Sequence, residues 1–169
     1  VDGSGTTNYG YDQMGRLTSR GNTAGGGTIS YAYDKASNLV STTDTRGTTS
    51  YAFDDSGVMT TMTYLLYGVP TKLAVATDDR GRRTDTWLAV NADRTVWKAH
   101  THTDYDRTGR VTRVLAEQGS GTASNTDVVD LTYCYSAGSA APTCPSTTTA
   151  DRSKIQWVKN NLTGAVTAY

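Results

Sequence analysis

The chain has 169 residues, room for one domain and at most two, and its 16 Lys and Arg are balanced by 16 Asp and Glu to give zero net charge. Zero net charge excludes a polybasic nucleic-acid binder and an acidic tail, and no apolar run reaches the roughly 18 residues of a membrane-spanning helix, so neither nucleic acid nor a membrane span is expected. The acids are 15 Asp and a single Glu, and 31 Thr, 13 Val, 17 Gly and 11 Tyr dominate the remainder. Good helix formers are scarce and strand and turn formers abundant, so the composition predicts an all-β chain of strands joined by Gly- and Asp-containing turns. The sequence opens at Val1 with no charged-then-apolar leader, which reads as a processed or partial chain.

In chain order the dominant feature is an internal repeat. Tyr9-Gly10-Tyr11-Asp12-Gln13-Met14-Gly15-Arg16-Leu17 is followed by Tyr31-Ala32-Tyr33-Asp34-Lys35-Ala36-Ser37-Asn38-Leu39 and by Tyr51-Ala52-Phe53-Asp54-Asp55-Ser56-Gly57-Val58-Met59. A weaker fourth copy holds Asp78 and Gly81, a fifth holds Tyr105, Asp106 and Gly109, and a sixth opens at Tyr133-Cys134-Tyr135. The Asp positions 12, 34, 54, 78 and 106 lie 22, 20, 24 and 28 residues apart, the length of two strands and two turns, so each copy is one unit of a β-meander.

The consensus has a physical reading. Tyr-x-Tyr sets two rings on one strand face through the two-residue period, so Tyr11, Tyr33 and Tyr105 are expected to be largely buried. Asp-x-x-Gly makes the turn: the carboxylate accepts backbone N–H groups and Gly takes the positive φ. In the second copy Asn38 is read as the Gly substitute. Arg16, Arg82 and Arg110 recur at one register, as solvated or cross-strand-paired side chains. The far ends of the strands also turn, at Gly21–Gly27 and at Asp44-Thr45-Arg46-Gly47. Asn91–Arg94 reads as a hairpin turn that brings Trp87 and Trp97 near each other. Residues 1–130 form a ribbon of about five units, and 131–169 a variant unit.

These units resemble the YD repeat, also called the RHS repeat, of large secreted or surface-exposed bacterial proteins and of the teneurin ectodomains of animals. The resemblance implies antiparallel hairpin units that form a curved, spiralling β-ribbon, part of a hollow shell that in several members encloses a C-terminal toxin. Five or six units are too few to close such a shell, and the self-cleavage motif that ends one is not recognisable here. The expected role is therefore a non-catalytic wall segment of a longer secreted or cell-surface chain. Its partners would be the rest of that chain or an enclosed toxin, with self-association possible through open sheet edges. The alternatives are a carbohydrate- or protein-binding module using exposed Tyr and Trp, and a fragment of a larger secreted enzyme.

Candidate chemistry is sparse. Cys134 and Cys144, ten apart and flanked by small residues and Pro, suit a disulfide in a secreted chain. A zinc site on these two thiols is disfavoured, because both His lie in another unit. His100-Thr101-His102-Thr103-Asp104 places imidazoles and a carboxylate on one strand face in a pattern that suits a divalent cation. A polar outward strand face accounts for it equally well, and no metal or other cofactor is assigned. Asp54-Asp55 and Asp78-Asp79 lack the alternating ligands of a calcium loop and read as turn caps. No nucleophile motif, phosphate loop or identifiable acid pair appears, so no catalytic residue is named. Asn161-Leu162-Thr163 matches a glycosylation acceptor, a pattern short enough to arise by chance.

Overall fold

In a computed structural model, residues 3, 5–91, 94–119, 125–135, 144 and 154–169 are described. The described residues form thirteen β-strands and no helix, and strand order follows chain order throughout. Every register given is antiparallel, as in a meander. The all-β expectation holds. The chain separates into two compact units, residues 1–74 and 75–169.

The first unit contains β1 (Thr7–Tyr11), β2 (Leu17–Asn22), β3 (Thr28–Tyr33), β4 (Leu39–Asp44), β5 (Gly47–Phe53), β6 (Met59–Leu66) and the start of β7 (Val69–Thr77). In β3 and β5 exposed and half-buried residues alternate, with Ile29, Tyr31 and Tyr33, and Thr49, Tyr51 and Phe53, on the covered face. This is the two-residue period that Tyr-x-Tyr predicts. The turn between β4 and β5 is closed by Asp44, whose Oδ1 accepts the Arg46 amide at 2.8 Å. The near-apolar run around Tyr64–Pro70 becomes the β6–β7 hairpin, with Tyr67 at its tip, 98% exposed and at φ 50°.

The second unit continues with β8 (Arg83–Leu88), β9 (Ala99–Tyr105), β10 (Val111–Gln118), β11 (Thr126–Cys134), β12 (Trp157–Asn160) and β13 (Val166–Ala168). Among its described residues Val75, Val90, Trp97, Cys134 and Trp157 are buried, with Asp130 as a buried charge. Cys134 and Trp157 are register partners across β11 and β12. Cys134 is joined to Cys144 by a disulfide, Cα to Cα 5.6 Å, so the expected bridge is present. Residues 136–143, which it encloses, lie outside the described set. The boundary drawn at 130/131 from sequence falls inside β11.

Three local expectations are corrected. Ser37, not Asn38, takes the left-handed position of the second turn, at φ 68° beside 76° for Gly15, 79° for Gly57, 74° for Gly81 and 94° for Gly109. It is third after its Asp, as each Gly is; Asn38 stands where the first, fourth and fifth copies carry Arg and the third carries Val58. Second, Trp87 is paired in register with His100, so both indoles meet that imidazole: Trp87 stacks at 5.0 Å and Trp97 tilts against it at 5.3 Å. Third, Tyr11 is 62% exposed and Tyr9 53%, while Tyr33 and Tyr105 are half-buried. The reason lies in what covers these rings.

Candidate functional site

Each repeat turn is built the same way. The Asp12 carboxylate accepts the amides of Met14 and Arg16 through Oδ1, both at 2.9 Å, while Gly15 N–H donates to the Asp12 carbonyl at 3.0 Å. Asp54, Asp78 and Asp106 repeat the pattern with Ser56 and Val58, Arg80 and Arg82, and Thr108 and Arg110. Asp34 caps with Asn38, whose amide Nδ2 donates to the second carboxylate oxygen at 3.0 Å. Turn capping is thus the geometry in which all five Asp stand. Hydrogen bonds to the ionised form lower an acid's pKa. That of Asp106 falls from 3.8 to about 2: partial burial pushes it up, but the Thr108 hydroxyl and the Arg110 amide and guanidinium outweigh it.

The Arg four residues after the Asp joins one copy to the next. Arg16 Nε donates to Asp12 Oδ2 at 2.7 Å, its Nη1 reaches the Asp34 carbonyl at 3.1 Å, and its guanidinium lies 4.7 Å over the Tyr33 ring. Tyr33 returns the contact by donating its hydroxyl to the Leu17 carbonyl at 3.0 Å. The second unit repeats the arrangement. Arg82 donates to Asp78 at 2.7 Å and to the Asp106 carbonyl at 3.2 Å, lies 4.5 Å over Tyr105, and Tyr105 donates to the Arg83 carbonyl at 2.9 Å. Arg110, paired with Asp106, lies 4.5 Å over Tyr135.

The recurrence explains the exposure of Tyr11, since no copy precedes it in these 169 residues to supply an Arg. It also leaves a trace in the sequence. Where Arg stands (16, 82, 110), the next copy carries Tyr before its Asp or at the equivalent place (33, 105, 135). Where Asn38 or Val58 stands, the next copy carries Phe53 or Thr77. The recurring Arg, read from sequence as solvated or cross-strand-paired, is the connecting element between copies, and this pairing is the signal that could have found it.

A second constellation lies on β8, β9 and β10. Cross-strand pairing sets Asp85 opposite His102, Trp87 opposite His100, and His100 opposite Glu117. Asp85 Oδ1 lies 3.0 Å from His100 Nε2 and 2.7 Å from His102 Nδ1. The outer ring nitrogens face other carboxylates: His100 Nδ1 is 2.8 Å from Glu117 Oε2, and His102 Nε2 is 3.1 Å from Asp104 Oδ1. Burial raises the Asp85 pKa and hydrogen bonds to the two imidazoles lower it, with a net fall. Burial lowers the pKa of His102, but Asp85 and Asp104 raise it further, with a net rise. Sequence spacing had brought together His100, His102 and Asp104. It missed Asp85 and Glu117, which join only through strand register.

A third network fastens the end of the second unit. Buried Asp130 receives Arg113 through two bonds of 2.9 Å and the Asn161 amide at 2.8 Å. The Arg113 guanidinium is the main cause of its lowered pKa. Asn161 Nδ2 also donates to Thr132 at 2.9 Å, so the nitrogen a glycan would take is already engaged in packing.

No family model matches the chain, and no curated protein matches it. Solved structures do. The crystal structure of TcdB2-TccC3-Cdc42 superposes on 93% of this chain with a TM-score of 0.61 at 14% identity, and that of TcdB2-TccC3 on 94% with a TM-score of 0.61 at 15%. In both cases the match spans 8% of the other chain. Identity this low speaks to the fold alone. A thirteen-strand meander with Asp-capped turns and this likeness make it an RHS/YD-repeat-type fold.

Proposed function

We propose that the chain is a structural wall segment of a large extracellular RHS/YD-repeat protein of a toxin system, with no catalytic role of its own. The observation that carries this reading is the Arg relay, in which the turn of one copy holds the Tyr and Asp of the next. Such a device extends a sheet by one hairpin at a time and gives each copy's stability to its neighbour. The likeness to shell proteins supports the same role, and a disulfide suits an oxidising compartment. Its partners are then the remainder of the parent chain and whatever that shell encloses.

A glycan- or protein-binding module is the second reading, and Tyr67 at the β6–β7 tip favours it locally. The aromatic rows argue against it, because Tyr31, Tyr33, Tyr51 and Phe53 are half-buried rather than presented in an open row. Protease protection of the native parent protein tests the proposal. A shell leaves enclosed sequence intact until it is opened by denaturant. Uniform digestion of the parent from the outset would rule out the wall role.

A further inference from the structure

We infer that Asp85, His100 and His102 form a binding site for one divalent transition-metal ion of the zinc class, fastening β8 to β9. Three donor atoms converge there, Asp85 Oδ1, His100 Nε2 and His102 Nδ1, all within 4.8 Å of one another. Two imidazoles and one carboxylate are the donor set of a borderline cation, with a fourth position open to water.

The outer nitrogens make the stronger case. A metal-ligating His donates its other ring N–H to a carboxylate, which fixes its tautomer and orientation. Both rings are placed for this: His100 Nδ1 faces Glu117 at 2.8 Å and His102 Nε2 faces Asp104 at 3.1 Å. With the outer protons so assigned, neutral rings turn their inner lone pairs toward the Asp85 oxygen. Lone pairs facing a carboxylate oxygen repel, and a cation bound between them converts the repulsion into ligation. Filling all four ring contacts with hydrogen bonds instead requires two imidazolium rings, or protonated acids.

The surroundings restrict motion and water. Trp87 stacks flat on His100, 8° from parallel, and buried Trp97 lies against the same ring. The ligands sit at directly opposed or alternate positions of paired strands, so no loop has to fold to assemble them. The ion would cross-link two strands separated by ten residues of sequence, 89–98.

The test uses the untagged chain at pH 7.5. It has two histidines in all, so its imidazole proton resonances report on this site alone. One equivalent of Zn²⁺ should shift both imidazole signals and saturate, and Co²⁺ should give visible d–d absorption at the same stoichiometry. Glu117→Gln, which keeps the side-chain size, should weaken binding by about 10-fold, and Asp85→Asn should weaken it more. Far-UV spectra establish that the variants are folded. Imidazole signals unmoved by Zn²⁺ in the folded chain would overturn the site, as would an affinity that Asp85→Asn leaves unchanged in a folded variant.

Discussion

The guanidinium of Arg82 lies 4.5 Å over the ring of Tyr105 while its Nε holds Asp78 at 2.7 Å, so one side chain spans two repeat copies. A half-buried Arg–aromatic contact is worth about 1 kcal/mol. Arg82→Ala and Tyr105→Ala should therefore each destabilise the chain, and the double variant should lose less than their sum by about that amount. Urea unfolding of the four proteins measures the coupling. Strict additivity would show that the stacking carries no energy.

Among the described repeat turns, only the second places a residue with a side chain at positive φ, Ser37 at 68°. Ser37→Gly relieves a conformation that costs an L-residue about 1 kcal/mol, partly offset by the freedom glycine gains when unfolded. A rise in stability of about 0.5 kcal/mol is expected. Gly109→Val has the opposite sign and should cost about 1–3 kcal/mol. At φ 94° even a Cβ there meets Arg82 Nη1 at 3.4 Å. Thermal or denaturant midpoints that move together in the two variants would contradict the turn assignment.

Acid should loosen the turns. Asp106 has its pKa lowered from 3.8 to about 2, and Asp12, Asp34 and Asp78 are lowered as well. A lowered native pKa contributes stability that is fully present above the unfolded value of 3.8 and is lost as pH falls through the native one. The urea midpoint should thus be little affected by these groups above that value and decline as pH falls toward about 2. Asp106→Asn should flatten part of that decline. A profile identical to that of the parent chain would remove Asp106 from the account.

Reducing the Cys134–Cys144 bond opens a loop of ten-residue separation. The chain-entropy model gives a loss of about 3 kcal/mol. Trp157, buried opposite Cys134, reports on it. The tryptophan fluorescence transition, to which Trp87 and Trp97 also contribute, should move to lower denaturant on adding reductant, and an unmoved transition would show that the bond contributes nothing to the fold.

What could be read from the sequence follows from how local each feature is. Asp-x-x-Gly and Tyr-x-Tyr act within a few residues, so the strands, their turns and the all-β class were legible in the repeat. Asn38 attracts the left-handed role because Asn tolerates that conformation well, but the spacing of three residues from Asp34 falls on Ser37. The burial of Tyr11 was misjudged because a tyrosine here is covered by the Arg of the preceding copy, 17 residues upstream for Tyr33 and 23 for Tyr105. Asp85 and Glu117 were invisible beside His100 for a similar reason. Their meeting depends on the register across two strand pairs, β8 with β9 and β9 with β10, which no count along the chain supplies.

The wall-segment account is tested most directly by the mass of the protein in its native source, measured by size-exclusion light scattering with peptides of this segment identified by mass spectrometry. The account predicts that these peptides belong to a chain many times larger than 18.1 kDa, continuous with further repeat copies. A discrete native species of 18.1 kDa would contradict it.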